Sequence, residues 1–269
     1  MKMSKALSLI AYDDLESQVE ALERDGYVYF PGVLDADEIA ELRATMDRLP
    51  AIPESHDRDE TLENGDAFLH KLISNSFNRD PLYLPFLDRS PVFEVAEAAH
   101  GEDFHCIGMH SWLTGPGRPD QGLHTDWLPI SLPAEIRSDP RVKIPIFITT
   151  AHYYLNDMYE ELGPTKFVPG SHFSGCSPNG ATEWNNRGEE SILCNAGDVV
   201  LFRSEVWHRG SANTSDEVRY LLQVHYAQRM ITQKYPPYLN RFQFDASILA
   251  QANPRQRRLL GDHRPSNYD

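Results

Sequence analysis

The chain is poor in cysteine. Three occur in 269 residues, Cys106, Cys176 and Cys194, and no two form a CxxC pair. That excludes a disulfide framework and a cysteine-built zinc finger, and makes a reducing, cytoplasmic setting the expectation. Positive charge is scarce as well: 25 Lys and Arg against 40 Asp and Glu leave a formal net charge of −15. Phosphate backbones and anionic bilayers both demand a basic face, so neither nucleic acid nor a membrane surface is an expected partner. Long apolar runs are also missing. The run Ala6–Ala11 near the N-terminus is short and turns acidic at Asp13 and Asp14. It suits neither a secretory core nor a membrane span, so no targeting segment is expected. What remains is ordinary globular composition, 41% hydrophobic and 24% charged, over a length that suits one large domain.

The opening third reads as helices with one strand. Leu15, Val19 and Leu22 recur at helical spacing and Gly26 ends the helix. Tyr27–Phe30 is a short strand closed by Pro31 and Gly32. Asp35 then stands as an N-cap with Glu38 in capping-box position, ahead of Ile39, Leu42, Met46 and Leu49 at helical spacing. Residues 51–66 read as a polar loop, and Pro91–Ala99 as a further helix. From residue 104 the texture changes. Runs of strand length at 104–113, 144–155, 165–168, 191–194, 198–203 and 218–228 are separated by Gly, Pro, Asn and Asp. That pattern predicts an antiparallel sandwich or barrel, of which a jelly roll is one form.

His124-Thr125-Asp126 is the first feature that carries chemistry. On a strand, residues i and i+2 share a face, so an imidazole and a carboxylate converge. Two ligands hold a divalent ion weakly. His208, which follows the strand 198–203, is the best candidate for a third. Two His and one carboxylate form the facial set of non-haem Fe(II) oxygenases, which leaves coordination positions open. An HxD alone is a weak signal, equally at home in a surface loop. Arg219 lies 11 residues beyond His208, across a turn-rich stretch at 211–216 and at the start of the returning strand. It can grip a carboxylate there, or it can pair with Asp216 or Glu217 at the surface.

Several segments together resemble the phytanoyl-CoA dioxygenase family of Fe(II)- and 2-oxoglutarate-dependent oxygenases. They are Gly26–Leu34, His124–Asp126, Gly163–His172, and Gly197–Phe202 with Trp207–Gly210, followed by Arg219 at the family's spacing. The resemblance implies a mainly β fold with flanking helices, a double-stranded β-helix or cupin-like jelly roll. It implies one oxygenase domain over 1–269, with a mostly helical part at 1–103, the jelly-roll core at 104–230 and a C-terminal extension at 231–269. It implies Fe(II), 2-oxoglutarate as cosubstrate and O2, with release of succinate and CO2. By carry-over the metal ligands are His124, Asp126 and His208, and Arg219 holds the distal carboxylate of 2-oxoglutarate. Lys71, Trp112 and His152 fall where family members line the cosubstrate site. His172 becomes a structural turn residue held by backbone hydrogen bonds. Related halogenases replace the carboxylate ligand with Gly or Ala; the intact Asp126 disfavours halogenation.

The expected substrate is a small, largely apolar, natural-product-like metabolite that is hydroxylated, desaturated or rearranged. Acyl-CoA hydroxylation is the alternative within the family, disfavoured by a chain of −15 that would have to hold several phosphates. Outside it stand a jelly-roll metal enzyme that does not use 2-oxoglutarate and a binding module without iron. Trp127–Ile144, with Pro129, Pro133 and Pro140, and the loop 51–66 are the candidate rims of the site. A monomer and a homodimer are both compatible with the sequence. Tyr235–Phe244 carries aromatics that can cover the sheet or meet a second subunit.

Overall fold

The computed structural model describes residues 5–51, 68–136, 139, 141–235 and 242–263. The loop 51–66 beyond residue 51, and Pro140, lie outside the described residues. Two sheets carry the architecture. The larger has the strand order β2-β8-β5-β10-β4-β3, formed by β2 (Tyr27–Phe30), β3 (His70–Ser74), β4 (His105–Thr114), β5 (Ile148–Tyr154), β8 (Val199–Arg203) and β10 (Arg219–Ala227). Every neighbouring pair in it is antiparallel. The smaller has the order β1-β7-β6-β9, from β1 (Lys5–Ala6), β6 (Thr165–Phe167), β7 (Glu190–Ser191) and β9 (His208–Gly210). His124 pairs with His208 through reciprocal backbone hydrogen bonds, which continues this sheet past β9. Two mainly antiparallel sheets with helices on the outside of the larger one make the expected jelly roll.

The helices form for local reasons that the sequence states. Helix α1 (Leu15–Asp25) begins at Asp14, whose side chain accepts from the Ser17 N–H, and stops at Gly26 with φ +84°. A Cβ at Gly26 would lie 2.5 Å from His172 Nδ1, so this turn needs both the left-handed backbone and the missing side chain. Helix α2 (Ala36–Arg48) carries the complete capping box between Asp35 and Glu38. Helix α3 (Val92–His100) follows one residue later than the sequence suggests. Short helices α4 (Ala246–Leu249) and α5 (Pro254–Leu259) close the described chain.

Strand parity divides the core into two layers. On β10 the even residues Leu222 and Val224 face outward and pack with Leu42 and Met46 of α2, Val95 of α3 and Ile248 of α4. The odd residues face the space between the sheets, where Leu221 packs with Phe202, Phe167 and Tyr154. Tyr235, Phe242 and Phe244 cluster on Phe77, which answers what that aromatic stretch covers within the chain.

Three strands escape the sequence reading: β1, β3 and β9. The opening third is therefore not helical with a single strand. It supplies β2 and β3, which are the two outer edges of the larger sheet. β3 reads His-Lys-Leu-Ile-Ser, and β9 is three residues of His-Arg-Gly, so neither shows a run of β-branched or alternating apolar residues.

Candidate active site

The inner face of the larger sheet builds one wall of the site. Register places Arg219 opposite Thr114, Leu221 opposite Trp112 and Tyr154, and Gln223 opposite His152. All of these project between the sheets, toward His208 on β9 and the segment 118–126. All but Tyr154 line, with His208, a cavity of ≈ 130 Å³. His124, Asp126, His208, Arg219, Trp112 and His152 are all brought to it.

His124, Asp126 and His208 converge. Their nearest ligand atoms all lie within 4.8 Å of one another. Asp126 Oδ1 is 3.8 Å from His124 Nε2 and 3.5 Å from His208 Nε2, a spacing that an ion about 2.1 Å from each donor can bridge. Each imidazole is oriented by its own chain: His124 Nδ1 donates to Gly122 O and His208 Nδ1 to Val206 O, both at 2.8 Å. With the proton committed to Nδ1, each Nε2 presents a lone pair inward. A donor set of two neutral imidazoles and one carboxylate fits a divalent iron. The titration directions agree with a charged core. Burial raises the Asp126 carboxyl, but the adjacent His208 outweighs it and holds the group well below the usual carboxylate range. Burial lowers His208, and Asp126 more than offsets this, so its net shift is upward. Burial and the neighbouring His208 push His124 down.

Arg219 marks the other end of the cavity. It is buried, and burial, followed by the nearby Arg118, lowers its guanidinium to about 10. Its Nη1 has no hydrogen-bond partner among the described residues, and Nη2 reaches Thr114 Oγ1 only at 3.5 Å. The surface pairing with Asp216 or Glu217 does not form among the described contacts; Glu217 instead accepts from Tyr159. A buried cation with an unused donor facing a cavity is a receptor for an anion. Gly210 keeps that end open: a Cβ there would lie 2.9 Å from Gln121 Oε1, 3.4 Å from Arg118 Nη1 and 3.5 Å from Arg219 Nη2.

Between the two ends runs a polar ladder across three strands. Trp112 Nε1 donates to Gln223 Oε1 at 2.8 Å, which fixes the amide. The amide nitrogen then donates to His152 Nε2 at 2.8 Å. Burial holds His152 down to about 3, so the ring is neutral with its proton on Nδ1.

Lys71 corrects the sequence expectation. It is not brought to the cavity. Parity on β3 turns its side chain to the opposite face, where the ammonium donates to Met46 O at 2.7 Å and Asp47 O at 3.0 Å near the end of α2. The neighbouring His70 lines the cavity instead. A one-residue difference on a strand reverses the face. His172 lies outside the cluster, with its Nε2 donating to Glu23 O at 3.1 Å. The sequence reading also missed Arg118, Gln121, Thr165 and Gln223. Gln223 had a legible signal, since it lies four residues after Arg219 on the same strand face.

The family profile of phytanoyl-CoA dioxygenase (PhyH) matches residues 22–220. The chain belongs to the phytanoyl-CoA dioxygenase family of Fe(II)/2-oxoglutarate-dependent oxygenases. Among curated relatives, the dioxygenase trt7 of Aspergillus terreus is 23% identical, over 90% of this chain and 82% of its own length. The dioxygenase cdmA of Talaromyces verruculosus is 23% identical, over 91% and 82%. Among solved structures, the non-haem α-ketoglutarate-dependent epimerase SnoN from nogalamycin biosynthesis superposes with a TM-score of 0.62 at 23% identity, covering 80% of each chain. HygX of Streptomyces hygroscopicus, solved with nickel, 2-oxoglutarate and hygromycin B, gives 0.62 at 16% identity, covering 82% of this chain and 89% of its own. No helix among the described residues is long and apolar enough to cross a membrane.

Proposed function

We propose that His124, Asp126 and His208 hold Fe(II), that Arg219 anchors the distal carboxylate of 2-oxoglutarate, and that the enzyme oxidises a small natural-product-like metabolite. The observation that carries this reading is the pairing of two inward Nε2 lone pairs and a carboxylate with an unsatisfied buried guanidinium in the same cavity. Bound iron supplies the oxidising chemistry, in which 2-oxoglutarate, O2 and a C–H substrate yield succinate, CO2 and the oxidised product. The chain's own work is positional. Gly122 O and Val206 O keep both imidazoles in the ligating tautomer. Thr114 and the missing Cβ of Gly210 leave Arg219 room for a bidentate grip. The Trp112–Gln223–His152 ladder gives the cosubstrate a rigid polar wall. Relatives support the choice of substrate class: SnoN is named for nogalamycin biosynthesis, and HygX was solved with hygromycin B.

Titration of the protein with Fe(II) and 2-oxoglutarate under argon tests the site. The weak visible absorption of an iron-chelated 2-oxo acid is expected only when both are present. Arg219→Ala is expected to weaken 2-oxoglutarate binding by at least about tenfold while metal binding stays intact. Equal loss of both would sink the role assigned to Arg219. Succinate release with a metabolite panel and with acyl-CoA separates the substrate classes; stimulation by acyl-CoA alone would overturn the choice made here.

A further inference from the structure

The inner face of the larger sheet continues past the metal cluster. Along β10, Arg219, Leu221, Gln223 and His225 share one face, so six residues, about 20 Å, separate the first from the last. The cluster adjoins this face: Asp126 lines the cavity with His152 and Gln223, and the next residue, Trp127, stands beside His225. If 2-oxoglutarate fills the Arg219 side, as proposed above, the molecule to be oxidised is left the His225 side of the cluster. Its lining is unusual for an apolar substrate. The His225 ring stands 5.3 Å from His110 and 5.6 Å from Trp127, the residue directly after Asp126. The Lys234 ammonium lies 4.0 Å over the Trp127 ring. Lys234 reaches this position because β4 carries Gly108, where a Cβ would meet Lys234 Cδ at 3.2 Å and His110 Nε2 at 3.1 Å. His225 Nδ1 is engaged with Thr150 Oγ1 at 2.9 Å, and its buried Nε2 has no partner among the described residues. A cation and an unused imidazole nitrogen thus flank Trp127 beside the proposed iron.

We propose that Lys234 and His225 form the receptor for an acidic oxygen of the substrate, so that the enzyme takes a small organic acid (a carboxylate or an ionised enol) rather than a fully apolar metabolite. The ammonium over Trp127 contributes the charge, and His225 Nε2 contributes a directed hydrogen bond. The apolar body of the acid then meets Trp127 and Phe147, which are partly buried against the core pair Ile107 and Ile148. Gly108 is part of the device, since a Cβ there would press on both the lysine stem and the His110 ring.

This inference rests on the iron and 2-oxoglutarate reading, and one experiment separates the two. The protein is loaded with Fe(II) under argon and with saturating 2-oxoglutarate, so that Arg219 is occupied. Calorimetry then measures benzoate and octanoate, each against the alcohol of the same skeleton. The carboxylates are expected to bind at least about tenfold more tightly than the alcohols. Lys234→Met should bring each pair within about twofold, and Lys234→Arg should keep the preference for the acid. Equal binding of acid and alcohol, no binding of either, or an acid preference that survives in Lys234→Met would each overturn the proposal. Absence of the visible absorption in the loaded wild-type protein would instead overturn the underlying reading.

Discussion

Gly210 shows how much of the site depends on what a residue lacks. Its missing Cβ leaves a gap bordered by Gln121, Arg118 and Arg219, and its N–H donates to Gln121 Oε1 at 2.8 Å. Gly210→Ala forces Gln121 aside and narrows the space before the guanidinium. The expected result is 2-oxoglutarate affinity reduced by about tenfold with little change in melting temperature; undiminished affinity in an anaerobic titration would refute the cradle. Gln223 is the opposite case, a residue whose side chain satisfies two others. Gln223→Leu strands the Trp112 N–H and removes the donor to His152 Nε2. A loss of about 1–2 kcal/mol is expected, measurable by urea unfolding.

At the scale of elements, Lys71 gives the cleanest contrast. Its ammonium satisfies two carbonyls near the end of α2. Lys71→Ala should therefore cost about 1 kcal/mol of stability and leave the 2-oxoglutarate dissociation constant unchanged; a loss of affinity without a loss of stability would restore the cosubstrate role. How far the sequence could be read follows from the same strand. The helix at Ala36–Arg48 was legible because its capping box and spacing are local. The strands His105–Thr114 and Arg219–Ala227 were legible because they are long and bounded by turns. The convergence of His124, Asp126 and His208 was legible in part because two of them are two residues apart. β3 has no such signature, and without its strand assignment the parity that separates His70 from Lys71 is invisible. Arg118 and Gln121 come from an irregular segment with no period, so their approach to the cavity is a purely tertiary fact.

Across the whole molecule, buried histidines couple stability to pH. Burial holds His100 down to about 4, and His172 and His152 each to about 3, against an ordinary 6.5. As pH falls below 6.5 the unfolded chain takes up protons that the folded chain refuses, so stability present above that value drains away toward pH 4. His208 works in the opposite sense: its contribution is present below 6.5 and is lost as pH rises through its raised value. Because His105, His124, His225 and His263 are lowered too, the lowered rings outweigh His208, and the melting temperature, followed by calorimetry at constant ionic strength, is expected to fall from pH 6.5 to pH 4. A flat profile over that window would contradict the burial of these rings. The whole molecule also has two exposed flanks to guard. β2 and β3 occupy the outer positions of a six-stranded sheet, and both come from the first 74 residues. Without β2, the backbone of Val199–Phe202 would offer its unpaired N–H and C=O groups to any passing strand. The N-terminal third is thus a pair of bookends. A chain shortened past Phe30 could keep every residue of the proposed catalytic cavity and still be lost to edge-to-edge self-association.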